Sequence, residues 1–169
     1  MTNSFVPRDW VQQTDADLIT QINNSEIPSV TIISSDELIK LYRQAFHFRV
    51  AESTSGKIAG FVLALDEQAV YASLNFQWFK SRYPRFSYID RIVVLSSYQR
   101  WGLGRLLYKD LQKVAEARSP ILSCEVNIRP PNPGSLNFHR HLGFREVGVQ
   151  ETEGGKKTVS LMIKELSLA

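Results

Sequence analysis

The stretch Tyr98-Gln99-Arg100-Trp101-Gly102-Leu103-Gly104-Arg105 constrains this chain more than any other. Upstream of it, Tyr88-Ile89-Asp90-Arg91-Ile92-Val93-Val94-Leu95 has the branched apolar run of a buried strand. Downstream, Leu103, Leu106, Leu107, Leu111, Val114 and Ala115 recur at helical spacing. The two glycines between them remove side chains where an extended backbone must turn into a helix. A turn of this kind gathers unpaired amide N–H groups at the positive end of the helix, which makes it an anion site. Two common phosphate loops are poor matches. A Walker-type loop needs Lys and then Ser or Thr after its last glycine, whereas Gly104 is followed by Arg105 and Leu106. A dinucleotide fingerprint needs a third glycine where Leu107 stands, and it follows the first strand rather than lying past the middle of the chain.

A second segment has its own signature. Ile121-Leu122-Ser123-Cys124-Glu125-Val126-Asn127-Ile128 predicts another strand. The turn cluster Pro130-Pro131-Asn132-Pro133-Gly134-Ser135 ends it and can cap a short helix over Leu136 to Leu142, which Gly143 would stop. Near the N-terminus, Thr14-Asp15-Ala16-Asp17 has the form of a capping box opening a helix through Leu18, Ile19 and Ile22. Ser34-Ser35-Asp36-Glu37 caps a second helix carrying Leu38, Leu41, Tyr42 and Ala45. Phe46 to Glu52 and Ile58 to Leu65 predict a hairpin about Gly56, and Phe144 to Gln150 with Thr158 to Ile163 predict a closing one. A first strand falls near Val6 to Gln12, and residues 67–87 form a long aromatic-rich connection.

Composition narrows the function classes. At 169 residues the chain reads as one domain over 1–169, able to bury roughly 70% of its unfolded surface. Twenty basic against seventeen acidic residues give +3, too mild a balance for a nucleic-acid partner. Early charges at Arg8, Asp9, Asp15 and Asp17 argue against a signal-peptide core, and no apolar run approaches the ~20 residues of a membrane span. A cytoplasmic location is the expectation. The single Cys124 forms no internal disulfide and reads as a small core residue. No metal is expected.

Gln-x-x-Gly-x-Gly after a strand, followed about thirty residues on by Asn132 and Leu136-Asn137-Phe138-His139-Arg140-His141-Leu142-Gly143-Phe144, resembles the two signatures of the GNAT superfamily of N-acetyltransferases. The resemblance implies a mixed α/β fold: a mostly antiparallel sheet with one parallel, splayed strand pair, flanked by helices. It implies acetyl-coenzyme A as co-substrate, lying where strands 88–95 and 121–128 splay apart. The thioester carbonyl would meet backbone N–H groups near Ile92, Val93 and Val94. The pyrophosphate would meet Gln99, Arg100, Trp101, Gly102, Leu103, Gly104 and Arg105, and Asn127 and Asn132 would bond backbone or pantetheine. Two positions depart from the family pattern. Its frequent glutamate, eleven residues before the glutamine, is Tyr88 here, and its usual tyrosine, seven residues after the asparagine, is His139.

These departures leave three candidates for the proton transfers that an amine acceptor requires. Asp90 lies two residues beyond Tyr88 on the same strand face and is either a base or half of an ion pair. Glu125 on the neighbouring strand is the second candidate base, and His139 is a candidate acid toward the leaving sulfur or a positioning group. Acceptor recognition is expected in Asp66 to Arg85, with Asn75, Phe76, Trp78, Phe79, Arg82, Tyr83 and Arg85, alongside Tyr88. So many aromatics suit a pocket wall, a homodimer contact or core packing. A wall with arginines predicts transfer to a small amine such as an amino acid. The alternatives are a protein N-terminus or lysine, and a non-catalytic acyl-coenzyme A-binding domain.

Overall fold

In the computed structural model, which describes residues 4–167, the expected strands and helices form with shifted bounds, and one more helix appears: Ala45 opens the second strand instead of lying on the second helix, and the first strand ends at Asp9, Gln12 opening a helix. The order is β1 (Phe5–Asp9), α1 (Gln12–Ser25), α2 (Ser35–Tyr42), β2 (Ala45–Ser53), β3 (Ile58–Asp66), α3 (Leu74–Lys80), β4 (Ser87–Val94), α4 (Leu103–Ala115), β5 (Ile121–Arg129), α5 (Pro133–His141), β6 (Arg145–Thr152) and β7 (Lys157–Glu165). The strands form one sheet in the order β1-β2-β3-β4-β5-β7-β6. Pairs β1–β2, β2–β3, β5–β7 and β6–β7 are antiparallel. β4 and β5 run parallel, with Ser87 opposite Leu122 and Tyr88 opposite Ser123. This is the mixed fold that the sequence motifs imply.

Local chemistry explains most boundaries. Ser34 caps α2 with a full capping box, its hydroxyl accepting from Glu37 N while the Glu37 carboxylate accepts from Ser34 N. The box expected at Thr14 does not form. Helix α1 begins earlier, at Gln12, and the Asp15 carboxylate turns back to accept from Val11 N at 2.8 Å while Arg8 grips it from β1. The extra helix, α3, lies inside the expected 67–87 connection and is capped by Ser73. Gly143 takes φ +94° just past α5, the left-handed conformation that ends a helix.

The chain divides into two compact units. One runs to Leu65 and includes Asp90–Val114. Its core holds the stacked pair Trp10 and Phe48, with centroids 4.5 Å apart, together with Tyr42 and Phe61, and β3 is buried over Ile58–Leu65. The other comprises Asp66–Ile89 and residues 115 onward. Its core centres on Phe76, Phe79, Phe86 and Tyr88, all fully buried with rings 5.3–6.2 Å apart. Among the described residues, no helix is long and apolar enough to cross a membrane.

Candidate active site

The anion loop is built within the first unit. Leu95 N donates to Ala59 O at 2.9 Å, and Gly60 lies so near the end of β4 that a Cβ there would come within 2.5 Å of the Val93 carbonyl oxygen. Glu26 then clamps the turn that follows, accepting from Ser96 N at 3.0 Å and from Ser96 Oγ at 2.7 Å. Beyond it, Arg100 (φ +70°) and Gly102 (φ +80°) are left-handed on either side of Trp101. These left-handed residues tighten the turn into α4, with Gln99 N donating to Ser96 O at 3.4 Å and Trp101 N to Tyr98 O at 3.3 Å. Leu106 N makes the helical bond to Gly102 O, so the N–H groups of Leu103, Gly104 and Arg105 lie in the first turn, where no intrahelical carbonyl reaches them. Arg100 and Arg105 are exposed beside these amides. Trp101 is 59% exposed and packs edge-on against Tyr98 and Phe5. These residues fit a pyrophosphate through oriented amides and two cations.

Upstream on β4, Val93 is buried, with Ile92 and Val94 half-buried. Asp90 is held as half of an ion pair, its carboxylate 3.1 Å from Arg91 Nε and 4% exposed. Arg91 also donates to Asn23 Oδ1 at 2.9 Å and to Thr31 O at 2.7 Å, tying the α1–α2 connection to β4. Neither Glu26 nor Asn23 was marked by the sequence. Both act over more than sixty residues of chain, and no local pattern encodes that.

The second unit holds the other candidates. Tyr88 is wholly buried, and its hydroxyl donates to Glu125 Oε2 at 2.6 Å. Glu125 and Asn127 are half-buried on one face of β5. Asn132 serves as the N-cap of α5, accepting from Ser135 N at 3.2 Å. His139 is 3% exposed, with Nδ1 2.7 Å from Ser135 O. A carbonyl only accepts, so Nδ1 carries the hydrogen and Nε2 is left as an acceptor. Burial lowers the ring's pKa against the opposing pull of that carbonyl, so the imidazole is neutral near pH 7 and suited to accepting a proton rather than giving one. Burial raises the Cys124 thiol well above its ordinary value, leaving it inert as a nucleophile.

The aromatic segment is mostly spoken for. Phe76 and Phe79 pack against Tyr88 and Phe86 in the core. Trp78 lies flush with Gly148, where a Cβ would fall 2.6 Å from the ring, and Arg82 stacks over it at 4.0 Å. Asn75 Oδ1 accepts from Gln150 Nε2 at 2.8 Å, tying α3 to β6. Tyr83 is half-buried on Phe79, and the exposed Arg85 donates to the Arg118 carbonyl.

Comparison with known proteins agrees with this architecture. A model of the "Acetyltransferase (GNAT) family" matches residues 17–144. An "N-alpha-acetyltransferase" of Sulfurisphaera tokodaii is 29% identical over 140 residues, covering 80% of this chain and 78% of that protein. The ribosomal-protein-S18-alanine N-acetyltransferase of Escherichia coli superposes with a TM-score of 0.73 at 20% identity, covering 98% of this chain and 96% of the other. The yncA protein of Salmonella typhimurium, solved with its cofactor acetyl-CoA, gives 0.72 at 18% identity, covering 96% and 94%. At those identities the two structures speak for the fold alone. With three quarters of the chain matched by the family model, and a glycine turn opening α4, this chain belongs to the GNAT family of acetyltransferases.

Proposed function

We propose that this protein transfers the acetyl group of acetyl-coenzyme A to the α-amino group of a polypeptide. The observation that carries this reading is the fate of segment 66–85. The aromatic wall that a small amine acceptor would need is largely committed to packing: Phe76 and Phe79 are fully buried, and Trp78 is covered by Gly148 and Arg82. An acceptor recognised along its backbone does not need that wall. The relative from Sulfurisphaera tokodaii, named for α-amine acetylation, supports the same direction.

Acetyl-coenzyme A supplies the acyl group as a thioester, and the chain's own residues do the rest. The first-turn amides of Leu103, Gly104 and Arg105 would hold the pyrophosphate, with Arg100 and Arg105 adding charge. Backbone N–H groups near Ile92, Val93 and Val94 would meet the acyl oxygen and stabilise the charge that develops on it. Asn127 remains a candidate for the pantetheine, and neutral His139 for a hydrogen-bond acceptor beside it. The chemistry favours an α-amine, whose pKa of about 7.7–8.0 leaves a useful fraction unprotonated near neutral pH, whereas a lysine side chain sits near 10.4. The test is kcat/KM by thiol release for three acceptors: a free amino acid, a short peptide with a free N-terminus, and that peptide N-terminally blocked with an internal lysine. The free-N-terminus peptide is expected to lead by at least about tenfold, roughly 1.4 kcal/mol of transition-state discrimination. Preference for the free amino acid would overturn the polypeptide assignment.

A further inference from the structure

We infer that Trp101 is the platform on which the adenine of acetyl-coenzyme A stacks, held in orientation by Tyr98 and Phe5. The inference rests on the acetyl-transfer reading above and adds where the nucleotide half of the co-substrate lies. Single exposed apolar residues are ordinary, but Trp101 belongs to a cluster of three aromatics. It is 59% exposed, while Tyr98 and Phe5 against it are half-buried. The three rings meet edge to face, with centroids 5.3 Å apart for Tyr98 and Trp101, 5.4 Å for Phe5 and Tyr98, and 6.5 Å for Phe5 and Trp101. Contacts of that kind fix the orientation of a ring. The indole lies at 65° to Tyr98 and 84° to Phe5, so neither neighbour is stacked on it. Its two faces make up most of an indole's surface, and a ring 59% exposed therefore has a face open to a flat partner.

The surroundings say which flat partner fits. Trp101 lies two residues before Leu103, where the first-turn amides of α4 begin, so the open indole adjoins the anion loop along the chain. Trp101 N donates to Tyr98 O at 3.3 Å, which ties the backbone of the platform to the residue it packs on. Arg100 precedes it directly and is exposed, as is Arg105. Lys57, also exposed, holds Nζ 5.0 Å from the centroid of the Tyr98 ring and adds a cation at the rim of the cluster. Phe5, Lys57, Tyr98 and Trp101 all belong to the first unit. An open aromatic face, three cations and a helix N-terminus suit a planar heterocycle carried on phosphates. Acetyl-coenzyme A has that half: an adenine joined through ribose to its pyrophosphate.

The experiment titrates wild type, Trp101→Ala and Trp101→Phe with acetyl-coenzyme A and with S-acetyl-phosphopantetheine, which keeps the acyl arm and one phosphate but lacks the adenosine. Affinity is read by calorimetry, and tryptophan fluorescence and a thermal melt accompany each titration. Trp101→Ala is expected to weaken acetyl-coenzyme A about tenfold, toward the lower end of what a stacked base contributes, and to leave S-acetyl-phosphopantetheine within about twofold of wild type. Trp101→Phe keeps a stacking face and is expected to recover most of the lost affinity. Of the three tryptophans, Trp10 is 5% exposed and Trp78 is covered by Gly148 and Arg82, so the fluorescence change on binding acetyl-coenzyme A is expected to vanish in Trp101→Phe. An indole that only shields Phe5 and Tyr98 would lower the melting temperature and weaken both ligands alike, or neither. Either of those results overturns the assignment while leaving acetyl transfer intact. Failure of the wild type to bind acetyl-coenzyme A removes the underlying reading, and this one with it.

Discussion

Gly60 is the position where one methyl group should disturb the candidate site most. A Cβ built on it falls 2.5 Å from the Val93 carbonyl oxygen, 3.2 Å from Val94 Cα and 3.3 Å from Val94 Cγ2. Ordinary contact begins at 3.4 Å, so Gly60→Ala requires the end of β4 to yield by roughly 0.9 Å. The closest atom is backbone, which cannot rotate away as a side-chain tip would, and Leu95 N is fixed to the neighbouring Ala59 carbonyl. Inserting a methyl into such a contact costs about 1–3 kcal/mol. Because Val93 and Val94 are the proposed acyl-binding backbone, the same displacement should weaken acetyl-coenzyme A. The assay is urea denaturation together with calorimetric titration of acetyl-coenzyme A. The control is Gly134→Ala in the first turn of α5, where nothing lies within 4 Å and the change should stay within about 0.5 kcal/mol. If Gly60→Ala matched wild type in both stability and affinity, the packing argument and the placement of the acyl site beside Gly60 would both be refuted.

Other outcomes follow from the same structure. Gly102→Ala meets no atom within 4 Å but forces a side chain onto φ +80°, at about 1–2 kcal/mol. That should appear as a loss of stability or as a five- to thirtyfold weakening of acetyl-coenzyme A, on the order of the same energy, and wild-type values of both would contradict it. His47 and His139 are both buried with pKa values pushed below the ordinary 6.5, His47 by burial despite Asp110 at 3.4 Å, with Arg49 and Asp9 also facing it. The unfolded chain therefore binds more protons as pH falls below 6.5, and stability should decline there; urea midpoints at pH 8, 6.5 and 5.5 test this, and a flat profile would count against it. Burial would raise the Asp15 carboxylate, but Arg8, Val11 N–H and Thr14 together hold it below its usual range, so Asp15→Ala strips one partner from Arg8 and an amide from its acceptor. A loss of about 3 kcal/mol is expected by chemical denaturation, and less than about 1 kcal/mol would deny this pair its structural role.

How far the fold could be read in advance depended on how local its determinants are. The Gln99–Gly104 loop, the α2 capping box and the Gly143 stop are each specified within a few residues, and each forms where the sequence marks it. Helix α3 carries little sequence signal because it is only seven residues long and rich in aromatics that suit a strand equally well. Helix α1 starts before the Thr14 pattern predicts because Asp15 caps backwards onto Val11, drawn by an arginine on β1 that no local pattern ties to it. The candidate site is legible in its glycine loop and less so in its chemistry. Asp90 and Glu125 are equally acidic in sequence, and only the structure shows Asp90 paired with Arg91 and Glu125 accepting from the buried Tyr88 hydroxyl.

The central claim is acetyl transfer to a polypeptide α-amine, and locating the acetyl group tests it most directly. A mixture of short peptides with free N-termini and internal lysines, together with free amino acids, is incubated with the protein and acetyl-coenzyme A and analysed by tandem mass spectrometry. The expected result is one acetyl group per peptide, on the N-terminal nitrogen, formed only when the protein is present. Acetyl groups confined to lysine side chains or to the free amino acids would contradict the account.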